Sequence, residues 1–152
     1  MPDTAERGED DLAIFHFTVK IVGRSKGKSI IAASAYLNGD VMKNEETGKV
    51  SYYTSKKEVV YTSLMMSENA PPEWMNVPDE NIKRFQKSIR YQRAENKEAA
   101  LDKFKIMFRK QRLWNEVLKV EKSANAQLSR SFEFSLPKGW SRMEQIEYAT
   151  DF

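Results

Sequence analysis

The chain has no cysteine and a single histidine, His16. The missing cysteines remove disulfides, thiolate metal sites and thiol nucleophiles together. One histidine without cysteine cannot build an imidazole cluster around a metal ion. No apolar run approaches the roughly 18 residues of a membrane span. The N-terminus lacks the basic-then-apolar pattern of a secretion signal, and the cytoplasm is the expected compartment. A phosphate-binding P-loop is missing too. Gly23 and Gly27 have the wrong spacing, and no Gly-x4-Gly-Lys-Ser pattern follows them, which excludes that type of nucleotide site.

What is present is an ordinary, highly charged globular composition. At 152 residues the chain is one domain or part of one, long enough for a real core. The net charge of +3 is unevenly spread. Residues 1–11 hold five acids against one base, a sum of −4 that leaves +7 for the remainder. A basic body suits a polyanionic partner, although a solvated surface has the same appearance. Residues 1–12 read as a disordered acidic tail.

The stretch from Ile14 to Val22 alternates. Phe15, Phe17, Val19 and Ile21 face one side; His16, Thr18 and Lys20 face the other. This predicts a half-buried strand with a polar face. A basic Gly/Ser turn follows, and Ser29 caps a predicted helix from Ile30 to about Asn38, stopped by Gly39. Tyr36 on that helix is a candidate nucleophile toward a phosphodiester, with Lys26, Lys28, Ser29 and the helix N-terminus holding the phosphate. The alternative is a half-buried packing tyrosine.

Farther along, Glu46-Thr-Gly-Lys49 predicts a hairpin-like turn, and Val59–Met65 a strand. Tyr52, Tyr53 and Tyr61, mixed with Lys49, Lys56 and Lys57, resemble a single-strand binding surface and equally an ordinary strand. Asp79 is placed as the cap of a helix through Ile82, Phe85 and Ile89. A second helical pattern runs from about Glu95 to Leu118. Eleven basic and four acidic residues between Glu80 and Arg112 suit either a DNA backbone or solvent. Ser131–Leu136 alternates as a strand closed by Pro137, with Glu133 on its polar side. Ser141 caps a last helix whose pattern still runs at Phe152.

Several of these blocks, in order, resemble the N-terminal part of MobA/MobL relaxases, the mobilisation nickases of plasmids and integrative elements. They are Ala13–Val22, the Lys26-Gly-Lys-Ser29 turn, Ala32-Ala-Ser-Ala-Tyr36, Arg112-Leu-Trp-Asn-Glu-Val117, Glu121–Leu128, Arg130 and Phe132–Pro137. The resemblance implies an α+β fold. An antiparallel sheet would hold Ile14–Val22, Val59–Met65 and Phe132–Leu136, with helices mainly on one face. Residues 13–152 would be a partial relaxase domain with a helical insertion at about 79–111. The implied reaction is transesterification on single-stranded DNA at an origin of transfer. Tyr36 would attack, and a divalent ion, Mg or Mn, would polarise the phosphate. Glu133 matches an acid that supports the metal site, and Asn125, Gln127 and Arg130 are DNA-binding candidates. Other mobilisation proteins are further implied partners. The family's His-x-His metal block is absent, which leaves His16 as a weak contributor. Tight metal binding and efficient nicking by this chain alone are therefore not expected, and the sequence reads as truncated. A DNA-binding module without catalysis and an inert remnant are the alternatives.

Overall fold

The computed structural model describes residues 16–56 and 58–151. The acidic tail expected over residues 1–12, together with Ile14 and Phe15, lies outside the described residues. The fold is α+β. Strand β1 (Phe17–Gly23) leads through a 3-10 turn at Arg24–Lys26 into helix α1 (Ile30–Asn38). Strands β2 (Val41–Lys43) and β3 (Val50–Tyr52) follow, then helices α2 (Asp79–Gln86), α3 (Ile89–Gln92) and α4 (Lys97–Val120), strand β4 (Gln127–Phe134) and helix α5 (Arg142–Asp151). The chain divides into two compact units: residues 22–128, and a smaller one whose described part is residues 16–21 and 129–151.

The larger unit is built around α1. The Ser29 hydroxyl oxygen accepts from the Ala32 N–H at 3.1 Å, satisfying one orphan donor of the first turn. Gly39, at φ 63°, ends the helix in the left-handed region, where a side chain would be strained. Ile30, Ile31, Ser34 and Ala35 are buried. With Val22, Met42, Leu118, Ala126 and Leu128 the apolar members form the core. Ile31 and Met42, both 0 % exposed, each contribute about 1.5–3 kcal/mol by leaving water.

Strands β2 and β3 form an antiparallel hairpin in the register Val41↔Tyr52, Met42↔Ser51, Lys43↔Val50. Its turn is held by Asn44, whose side-chain oxygen accepts from Glu46 N and Thr47 N. Asn115 ties the hairpin to α4. It donates to Lys43 O and accepts from Glu45 N, both at 2.9 Å, while 2 % exposed. Arg24 reaches the C-terminal end of α4 and donates to the Leu118 and Glu121 carbonyls, which would otherwise be orphaned there.

Three expectations of the sequence are corrected. Val59–Met65 joins no strand among the described residues; the two sheets are β1–β4 and β2–β3. Alternation describes one chain, but a strand needs a partner for its backbone groups. The helix expected through Ile89 breaks at Ser88. That hydroxyl donates to Phe85 O at 2.6 Å and accepts from Tyr91 N at 3.3 Å. Pro78, not Asp79, occupies the N-cap position of α2, and it makes no side-chain cap.

In the smaller unit, Ser135 N donates to His16 O, and the Phe17 and Phe132 rings lie 6.1 Å apart. The apolar face of β1 is more open than half-buried: Phe17, Val19 and Ile21 are 43 %, 46 % and 38 % exposed. A capping box opens α5, with Glu144 N donating to Ser141 Oγ and Ser141 N to Glu144 Oε2. The Ser141 bonds hold the Glu144 carboxyl below its ordinary value.

Candidate active site

Tyr36 projects from the last turn of α1 and is 51 % exposed. Helical periodicity gives it this position, since the inward face is taken by Ile31, Ser34 and Ala35. Its ring meets two side chains from the segment after β3. The Lys56 ammonium stands 3.8 Å from the ring centroid and also donates to the Tyr36 backbone carbonyl at 3.3 Å. Tyr53 meets the ring edge-on, with centroids 5.4 Å apart and planes at 87°. Such contacts are worth about 0.5–1.5 kcal/mol each. Tyr36, Tyr53, Ser55, Lys56 and Glu58 line an open cleft of ≈ 350 Å³.

This segment packs against Gly39, which needs glycine for its left-handed φ of 63° rather than for space. A Cβ at Gly39 would lie 3.4 Å from Val59 Cγ2, 3.6 Å from Lys56 O and 3.7 Å from Tyr53 O. The segment is pinned by Tyr53 N donating to Asp40 O at 3.0 Å and Lys56 N to Tyr53 O at 3.2 Å.

Beneath the site lies a buried polar group. Asp40 and Lys110 are 2 % and 4 % exposed. Lys110 Nζ donates to Asn38 Oδ1 at 2.5 Å, and Asn38 Nδ2 to Ser34 O at 2.7 Å. Asp40 Oδ1 has no hydrogen-bond partner. Burial raises the Asp40 carboxyl above its ordinary value, against the pull of Lys103, Lys110 and Arg90. Burial also lowers the Lys110 ammonium, against the pull of Asp40.

The other sequence candidates lie elsewhere. Lys28 and Ser29 sit at the opposite end of α1, eight and seven residues before Tyr36, or about 10 Å along the axis. The Ser29 oxygen is engaged as the cap. The Lys26 side chain lies outside the described residues. Asn125, in a turn, and Gln127, at the start of β4, are exposed. In the smaller unit Arg130 is exposed on β4. Glu133 there pairs with Lys20 at 3.6 Å, with both side chains more than 60 % exposed. His16 Nε2 lies 2.9 Å from Thr18 Oγ1. Thus Glu133 holds a lysine, and His16 a threonine. Among the described residues no group of three or more His, Asp or Glu side chains could hold a metal ion. The donors present do not fit the divalent ion that the resemblance implies.

The sequence reading missed the placement of Lys56, Ser55 and Glu58 around Tyr36. The mixture of tyrosine and lysine after β3 was the one signal.

The chain matches a model of the MobA/MobL family over residues 28–152. It is 25% identical, over 93% of its length, to the conjugal transfer protein TraA of Agrobacterium fabrum (strain C58 / ATCC 33970). It spans 11% of that protein. Over 36% of its length it is 38% identical to the mobilization protein MobL of Acidithiobacillus ferridurans, covering 15% of it. A solved structure described as "Molecular Basis of Vancomycin Resistance Transfer in Staphylococcus aureus" shares the fold, with a TM-score of 0.63 at 23% identity. The match covers 91% of this chain and 54% of that one.

Proposed function

Because the chain belongs to the MobA/MobL family, we propose that its residues carry the DNA-cleaving tyrosine of a conjugative relaxase, and that Tyr36 is that tyrosine. The observation that supports this reading is the setting of Tyr36: a half-exposed phenol on a capped helix, at the rim of an open cleft, with a lysine ammonium on its ring. The substrate is a phosphodiester of single-stranded DNA at an origin of transfer. The Tyr36 oxygen bonds to phosphorus and the bond to the 3′-oxygen breaks. The products are a 5′-phosphotyrosine link and a free 3′-hydroxyl. The phenol proton ends on the released oxygen by way of solvent.

The described residues do not fit a metal ion, so no step is routed through one. Lys28 and the N-terminus of α1 face phosphates along the strand from the attacked one. Asn125, Gln127 and Arg130 serve as DNA contacts outside the reacting centre. Segment 79–111 adds basic helices to the family's core. The setting is the cytoplasm, where transferable DNA is processed.

A labelled single-stranded oligonucleotide pool of random sequence tests the reading. The expected result is a denaturant-stable protein–DNA adduct in low yield, abolished by Tyr36→Phe. DNA binding with no adduct from the wild-type chain would instead support a non-catalytic DNA-binding module.

A further inference from the structure

We propose, resting on the assignment of Tyr36 as nucleophile, that Lys56 is the phosphate-holding cation of this site. Its ammonium grips a non-bridging oxygen of the phosphodiester and sets the phosphorus against the Tyr36 hydroxyl.

Tyr36 lies at the C-terminal end of α1, where the helix presents carbonyl oxygens and a partial negative charge. An incoming phosphate is repelled there unless a cation intervenes. Lys56 is that cation, and it donates to the exposed carbonyl of Tyr36 itself. An ammonium has three donors. One goes to that carbonyl, and the charge rests on the ring face at 3.8 Å. This leaves donor capacity toward the cleft. Among the described residues no carboxylate pairs with Lys56. The cleft is open, and the phenol oxygen lies at its ring's edge. A phosphate seated against that oxygen is within reach of the ammonium.

The position is prepared before DNA arrives. The backbone bonds from Tyr53 to Asp40 and from Lys56 to Tyr53 fix the segment, and Tyr53 closes on the ring edge. A charge placed in advance lowers the barrier without reorganisation. In the step itself the Tyr36 Oη–P bond forms and the P–O3′ bond breaks. The phenol proton reaches the 3′-oxygen through solvent, and Lys56 keeps its own protons throughout. Its charge offsets the charge that gathers on the phosphoryl oxygens.

The test uses inorganic phosphate as probe, followed on the Tyr36 and Tyr53 ring signals by NMR, alongside adduct formation with the random oligonucleotide pool. The wild type is expected to show saturable ring shifts. Lys56→Met should lose them and slow adduct formation about 100-fold. Lys56→Arg should keep the shifts and most of the rate. Glu58→Gln, which removes an anion from the cleft lining, should tighten phosphate several-fold. Circular dichroism of each variant establishes that it is folded. An absence of saturable shifts in the wild type, or unchanged shifts in folded Lys56→Met, overturns the proposal. Failure of the nucleophile reading looks different. Shifts lost in Lys56→Met, together with an adduct that survives Tyr36→Phe, would retain the phosphate site and discard the tyrosine.

Discussion

At the residue scale, the buried Asp40–Lys110 group has a measurable signature. The Asp40 carboxyl is raised by burial. Its contribution to stability is therefore full below the ordinary carboxylate value and is lost as pH rises through the raised one. Lys110 is lowered by burial, so its contribution is present above the ordinary lysine value and is lost as pH falls through the lowered one. Stability measured by urea unfolding is expected to decline as pH rises through the Asp40 window. Asp40→Asn should flatten that limb, and an unchanged limb would refute the assignment. Lys110→Met leaves the part-buried Asn38 oxygen without its donor and should cost about 1–3 kcal/mol. Little of this group was legible in the sequence. Lys110 stands seventy-two residues from Asn38 inside a basic stretch that reads as solvated. Lys56 was obscured for a similar reason: a lysine in an irregular segment has no periodic signal to show which ring it will cover.

At the element scale, legibility followed locality. The limits of α1 were readable because Ser29 and Gly39 act within one turn of the residues they cap. The Ser141 cap of α5 was readable likewise, without its reciprocal bond from Glu144. The break between α2 and α3 was hidden by the spacing of Ile82, Phe85 and Ile89. Ile89 is in fact 69 % exposed and belongs to no buried stripe. Strand identity depends on a distant partner, so Val59–Met65 alternates without pairing. Gly39 joins both kinds of information, since it ends α1 and lies against the segment carrying Lys56. Gly39→Ala places a side chain at φ 63°, which should cost about 1–2 kcal/mol. Its Cβ would only touch Val59 Cγ2, at 3.4 Å, so backbone strain should dominate. The check is a thermal melt beside Gly48→Ala. Gly48 has φ 74° with open space around it. Similar losses are expected for the two, and a far larger loss at Gly39 would mean that crowding governs instead.

At the scale of the whole molecule, positive charge is concentrated in one stretch of the chain, and a salt series tells a DNA-tracking surface from a solvated one. The residues after position 11 sum to +7. Eleven of the bases fall between Glu80 and Arg112, on or just after α2 and α3 and on the first two-thirds of α4. Several of these bases have structural work. Arg109 donates to Met75 O, and Arg112 to Glu73 O and Asn76 O, which fastens the segment just before α2 to α4. Lys110 is buried. Arg90 and Arg93 are exposed around α3 and are the better probes of a DNA path. Each phosphate neutralised on a single strand releases counterions, so log K falls with log salt by about 0.7 per contact. Binding of the oligonucleotide pool, measured by fluorescence anisotropy across a salt series, is expected to give a slope of several such contacts. Arg90→Gln and Arg93→Gln should each reduce the slope by about 0.7 while leaving sequence preference unchanged. Slopes that stay at the wild-type value in both variants would mean that α3 faces only water. The positive body would then act on DNA through the elements around Tyr36.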